Sequence, residues 1–154
     1  MSVVDKNLFV DTLNIERPAF ISSIEFVDSQ QVVINVNFEE GCVVCPICGA
    51  KTPNAGYVKK RWRHLDCMQF KSVIVADMPV AKCSRCGELI CEAPWARQGS
   101  PYTAEFELML VGMKTSALLS SIANIVDEPE SLLDEVLQSY EITDESFYRR
   151  SVAR

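Results

Sequence analysis

Hydrophobic positions alternate with polar ones through the first part of the chain, then adopt a helical period from Thr103 onward. Ile24 and Phe26 alternate with polar neighbours, as do Ile34, Val36 and Phe38. Ser23 to Val27 and Val32 to Phe38 therefore read as a β-hairpin, with Asp28-Ser29-Gln30-Gln31 as its turn and Gly41 as its end. Ahead of it, Asp5, Leu8, Phe9 and Leu13 suggest a short helix that Glu16-Arg17-Pro18 breaks. Tyr57 to Leu65 and the β-branched run Phe70 to Ala76 read as further strands. Pro94 to Pro101 reads as a linker with an aromatic anchor, Trp95.

Beyond the linker, Phe106, Met109, Leu110 and Met113 fall at the i, i+3, i+4, i+7 positions of a helix that Thr103 can cap. Ser116 can cap a second helix, with Leu118, Ile122, Ile125 and Val126 inward. Pro129 at the first helical position starts a third, with Leu133, Val136, Leu137 and Tyr140 on one face. Three helices joined by so short a turn at Asp127-Glu128 fit a helix-turn-helix bundle, and equally a plain three-helix cap burying its own core.

The cysteines change this picture most. Cys45-Pro46-Ile47-Cys48-Gly49 and Cys83-Ser84-Arg85-Cys86-Gly87 share one pattern, C-x-x-C-G. Two thiolates in such a turn can face one ion, and the glycine permits a positive φ that frees amides to point at sulfur. Two such turns make a Cys₄ tetrahedral zinc site, which leaves no open position for water and makes the metal structural. The 34 residues between Cys48 and Cys83 should then hold strands that return the chain to the metal. Cys42-Val43-Val44-Cys45 is also C-x-x-C, but it lacks the proline and glycine, so Cys42 reads as structural. Cys67 and Cys91 have no paired spacing and read as buried thiols. Disulfides would be the alternative in an exported protein. Asp5 and Asp11 interrupt any apolar leader, and no stretch approaches a membrane span, so the expectation is a cytoplasmic protein in a reducing compartment.

At 154 residues the chain fits one domain or two small ones, and its 48% hydrophobic content excludes general disorder. The net charge of −6 hides an asymmetry. Residues 1–41 are net −5, residues 42–97 net +5 and residues 98–154 net −6. A nucleic acid would be drawn to the middle segment and repelled by both ends. Lys59, Lys60, Arg61 and Arg63, interleaved with Tyr57 and Trp62, carry the mix of cations and aromatics used on nucleic acid. Alternation places Lys59, Arg61 and Arg63 on one strand face and Val58, Trp62 and His64 on the other. His64, the only histidine, suits packing or a phosphate contact. The third helix opposes this reading, since Pro129 to Ser146 carries six carboxylates and no Lys or Arg.

Together these residues resemble the N-terminal part of transposases of the ISL-three group of bacterial insertion sequences. The resemblance rests on Leu8-Phe9, Val36-Asn37-Phe38 with Gly41, Cys45-Pro46-Ile47-Cys48-Gly49, Arg63-His64-Leu65-Asp66, Cys83-Ser84-Arg85-Cys86, Pro94-Trp95-Ala96-Arg97 and Tyr102 to Glu107, in that order. It implies a zinc-binding domain followed by a helix-turn-helix that binds the terminal repeats of the element. The family's nuclease domain lies beyond the stretch covered, so no catalytic residue is carried over and an enzyme is not expected.

The expected architecture is α+β: an N-terminal helix and β-hairpin (1–41), a Cys₄ zinc ribbon (42–97), a helix-turn-helix-like three-helix bundle (98–143) and a mobile tail (144–154). Zinc on Cys45, Cys48, Cys83 and Cys86, and double-stranded DNA on Lys59, Lys60, Arg61, Arg63 and His64, are the expected ligands. The rival expectation is a protein-interaction module, or a DNA mimic, whose acidic helices bind a protein partner. A homodimer is compatible with either.

Overall fold

One strand organises the N-terminal half of the structure, a computed structural model that describes residues 10, 11, 13, 15–41, 43–145, 149 and 152. That strand is β6, Phe70–Cys83, in a sheet that also contains β1 (Ala19–Phe26), β2 (Gln31–Phe38), β5 (Asn54–Cys67) and β7 (Gly87–Ile90). The short strands β3 (Val43–Val44) and β4 (Lys51–Thr52) form a separate antiparallel pair. Three helices follow: α1 (Ala104–Lys114), α2 (Leu119–Val126) and α3 (Glu130–Ser139). The described residues thus make an α+β protein, with a mixed sheet, three helices over residues 104–139 and a cysteine cluster. Among the described residues, no helix is long and apolar enough to cross a membrane.

The chain divides into two compact units, Met1–Thr103 and Ala104–Arg154. This partition differs from the expected boundaries at 41 and 97. The strands β1 and β2 pair antiparallel as the alternation predicts, but β2 also pairs parallel with β6, from Gln31↔Lys71 to Val36↔Ala76. That ladder joins the first strand pair and the cysteine-bearing strands into one sheet. A parallel pair requires a crossover, and here residues 39–69 supply it, carrying β3, β4 and β5. The second boundary shifts because residues 101–103 lie along β5. Arg63 N donates to Pro101 O at 2.9 Å, and Thr103 N donates to Arg63 O at 3.0 Å.

The strand at 70–76 continues unbroken to Cys83, past Pro79. Proline cannot donate to a ladder. Pro79 sits on the β6 edge between the end of the β2 ladder at Ala76 and the start of the β7 ladder at Val80, where its missing amide costs little. The core of this unit forms on one face, from Ile34 and Val36 of β2, Trp62 of β5, and Ile74, Ala76 and Met78 of β6. Trp95 closes it, fully buried and edge-on to Trp62 with ring centroids 5.3 Å apart.

In the second unit, Phe106 and Leu110 of α1, Ile122 and Val126 of α2, and Leu133, Val136 and Leu137 of α3 are buried, as the helical period predicts. Ile125, expected inward, is 68% exposed. Two buried positions are charged, Glu107 and Lys114, seven residues apart on α1. The Tyr140 hydroxyl donates to Glu107 Oε2 at 2.6 Å, and Lys114 pairs with Asp144 while donating to Ala117 O. Asp144 also accepts from Leu119 N at 3.2 Å, at the start of α2, where Leu118 offers no side-chain cap and Ser116 lies outside the helix. Asp144, placed by the sequence reading in a mobile tail, therefore ties α1 to the start of α2. The hydrogen bond from Lys114 holds its carboxyl below the usual carboxylate range. The predicted cap Asp5 and the Leu8-Phe9 helix lie outside the described residues, while Val10, Asp11 and Leu13 are helical.

Replacing a buried Trp by Ala typically costs about 3–5 kcal/mol through lost contacts and the cavity left behind. Trp95→Ala is expected to lower the unfolding free energy of the first unit by that amount, as read by equilibrium unfolding in urea.

Candidate metal centre

Pairing of β3 with β4, Val43↔Thr52 and Val44↔Lys51, forces the intervening residues into a tight turn. Within it Cys45 N donates to Ala50 O at 2.8 Å and Gly49 N donates to Cys45 O at 2.9 Å. Gly49 takes φ 73°, a left-handed value that glycine adopts without the Cβ penalty. The second turn repeats the device between β6 and β7, where Cys83 pairs with Gly87 at φ 86°. Lys82 N donates to Pro53 O at 3.1 Å and so links the two turns.

The four sulfurs of Cys45, Cys48, Cys83 and Cys86 all lie within 4.8 Å of one another. Cys48 Sγ and Cys83 Sγ are 3.6 Å apart, and all four cysteines are free of disulfides. A tetrahedral ion with metal–sulfur bonds of about 2.3 Å requires sulfurs about 3.8 Å apart, whereas a disulfide requires about 2.05 Å. The cluster therefore fits a metal ion. Cys45 and Cys83 are buried, Cys86 half-buried and Cys48 exposed, so the site lies near the surface.

Electrostatics support the same chemistry. The Arg85 and Cys86 amides aimed at its sulfur hold the Cys83 thiol down at about 7. Burial, and then the neighbouring sulfurs, push Cys86 up to about 12. Four thiolates this close repel one another, so full ionisation needs a compensating cation. Soft sulfur donors select a soft or borderline d-block ion. Four protein ligands also saturate a tetrahedral ion, which suits a structural centre.

The remaining cysteines stand apart from this set. Burial raises the Cys91 thiol, which donates to Val44 O at 3.7 Å. Cys67 is half-buried at the far end of β5, and Cys42 lies outside the described residues.

Of the five residues expected to contact DNA, the structure leaves three on the surface. Lys59, Lys60 and Arg61 are exposed on β5, beside exposed Tyr57, and Asp77 lies opposite Lys59. Arg63 and His64 are buried. Arg63, expected on the solvent face with Lys59 and Arg61, pairs with Asp66 and donates to His64 O, and its backbone forms a bridge with Tyr102. Its charge thus serves the fold. The carboxylate three residues later, Asp66, was the local signal in the sequence. His64 Nδ1 lies 2.8 Å from Thr103 Oγ1. Burial, with the adjacent Arg63 charge, lowers the His64 pKa to about 4.

Comparison of the chain with family models, characterised proteins and solved structures finds no match. The class defined by fold and site is an α+β protein with a surface four-cysteine centre that can hold a metal ion.

Two outcomes test this site. Mutating Cys83→Ala removes one ligand from the strand that anchors the sheet, and is expected to abolish stoichiometric metal in elemental analysis and to broaden the amide NMR signals of 45–52 and 83–90. For His64, the folded pKa lies below the unfolded value of 6.5, so the unfolded state binds the proton more readily. Stability is then complete above pH 6.5 and falls by up to about 3 kcal/mol as pH drops towards 4. His64→Gln should remove that part of the pH dependence in denaturant titrations.

Proposed function

We propose that this chain is a zinc-dependent DNA-binding protein that employs the zinc-binding and helix-turn-helix part of a transposase, without strand-transfer chemistry of its own. The observation that carries this reading is the run of three exposed cations, Lys59, Lys60 and Arg61, on β5, beside Tyr57. Cations on a strand neutralise phosphates, and an exposed aromatic packs on sugar or base. Zinc is the proposed ion because a tetrathiolate set in a reducing compartment suits it best. The helix-turn-helix assignment draws support from α2, the connection at 127–129 and α3, a length within the range of that motif.

A second reading has its own observation. The exposed residues of α3 include Glu130 and Glu135, Glu141 follows them, and the helix holds no Lys or Arg. A helix of this charge is repelled by phosphate and attracts a basic protein surface. In the DNA-binding reading the cations of the sheet, and not α3, therefore supply the affinity.

Salt dependence separates the two. Each neutralised phosphate contributes roughly −0.9 to the slope of log K against log salt for duplex DNA. Lys59→Ala, Lys60→Ala and Arg61→Ala combined should flatten that slope by about 2–3 in fluorescence anisotropy with a labelled duplex, while Asp134→Asn with Glu135→Gln should tighten binding. No binding by wild type at low salt, together with a basic protein captured through α3, would favour the interaction module.

A further inference from the structure

A second group of cations converges where the two cysteine turns meet. Lys51 of β4, Lys82 of β6 and Arg85 of the second turn line a concave surface of about 550 Å³ with Thr52, Pro53 and Ser84. The lining holds these three cations and no carboxylate. All three side chains are exposed. Glu88, opposite Lys82 in the β6–β7 ladder, lies outside it.

These cations are placed by the candidate metal centre itself. Lys51 pairs with Val44, the residue before Cys45. Lys82 precedes Cys83, and its amide is bonded to Pro53. Arg85 sits between Cys83 and Cys86, and its amide points at the Cys83 sulfur. An ion drawing the four sulfurs together would fix the backbone from which all three side chains project.

The surface also shares a sheet face with one β5 cation, Lys60, whereas Lys59 and Arg61 alternate onto the opposite face. Lys60 pairs with Ala76, and Ala76 and Lys82 are an even number of residues apart on β6, so Lys60 and Lys82 project from one face of the sheet. Six residues at about 3.3 Å each span roughly 20 Å, about six steps of a duplex at 3.4 Å per phosphate on each strand.

We propose that Lys51, Lys82 and Arg85 form a second phosphate-backbone contact surface, on the sheet face of Lys60 and held in register by the bound metal. It rests on the DNA-binding reading, and it makes metal loading a determinant of DNA affinity. The ligand chemistry is the phosphodiester backbone of a duplex, bound without base readout.

The test uses the full metal-loaded chain and a fluorescein-labelled duplex, with anisotropy measured across a potassium chloride series and metal content measured for each variant. Lys51→Ala, Lys82→Ala and Arg85→Ala combined should flatten the log K against log salt slope by about 2–3, at about 0.9 per phosphate, with the metal-to-protein ratio unchanged. Lys51→Arg, Lys82→Arg and Arg85→Lys combined should restore it. A wild-type slope in the alanine variant, with the slope still flattened by the β5 substitutions, overturns this inference and leaves the DNA-binding reading standing. Loss of metal in the alanine variant, with no recovery of the slope in the charge-conserving one, assigns these residues a structural role and also overturns it. Absence of duplex binding by wild type at low salt overturns both readings.

Discussion

The constraint on which the first unit depends is the double hydrogen bonding of β6. Along one edge it pairs with β5 for most of its length; along the other it pairs first with β2 and then with β7. A strand bonded on both edges cannot slip by one residue without inverting every side chain on both ladders. Its register is set by Ile74, Ala76 and Met78, which face the core beside Ile34, Val36 and Trp62. Cys83 is the last residue of this strand, so the second cysteine turn inherits the position of the most restrained element in the sheet.

The sheet and the candidate metal centre therefore reinforce each other. Closing the 34-residue loop between Cys48 and Cys83 carries an entropic cost that grows only slowly with length. The β5–β6 ladder already brings Asn54 beside Ala81, near both turns. An ion at the four sulfurs would then need to order only the two turns. This division of labour explains why a spacing far longer than that of small zinc fingers can still yield sulfurs within 4.8 Å.

Charge is segregated along the same lines. The residues of the first unit, 1–103, sum to zero, with acid in 1–41 and base in 42–97, whereas residues 104–154 are net −6. Within the first unit most of the exposed cations lie on β5 and around the cysteine turns, with Arg17 and Arg97 elsewhere. In the second unit the buried Glu107 and Lys114 each have a side-chain partner, Tyr140 and Asp144. A buried charge is tolerated only when paired or hydrogen-bonded, so these contacts restrict how the helices can pack.

The four ligand candidates, the antiparallel pairing of β1 and β2, and the three helices were legible in the sequence, because each depends on spacing or periodicity within a short stretch. Cys45, Cys48, Cys83 and Cys86 announce themselves by two identical turns, and Phe106, Leu110, Leu133 and Val136 by a helical period. The parallel pairing of β2 with β6 was not legible, since alternation states which face of a strand is buried and not which strand lies beside it. The fates of Arg63 and His64 were likewise decided by distant chain: residues 101–103 run along β5 and bury a position that local charge assigned to solvent. Glu107, Lys114 and Asp144 follow the same rule. Local pattern determines what a residue prefers, but the partner that makes a buried charge affordable comes from elsewhere in the chain, and only the tertiary structure brings it there.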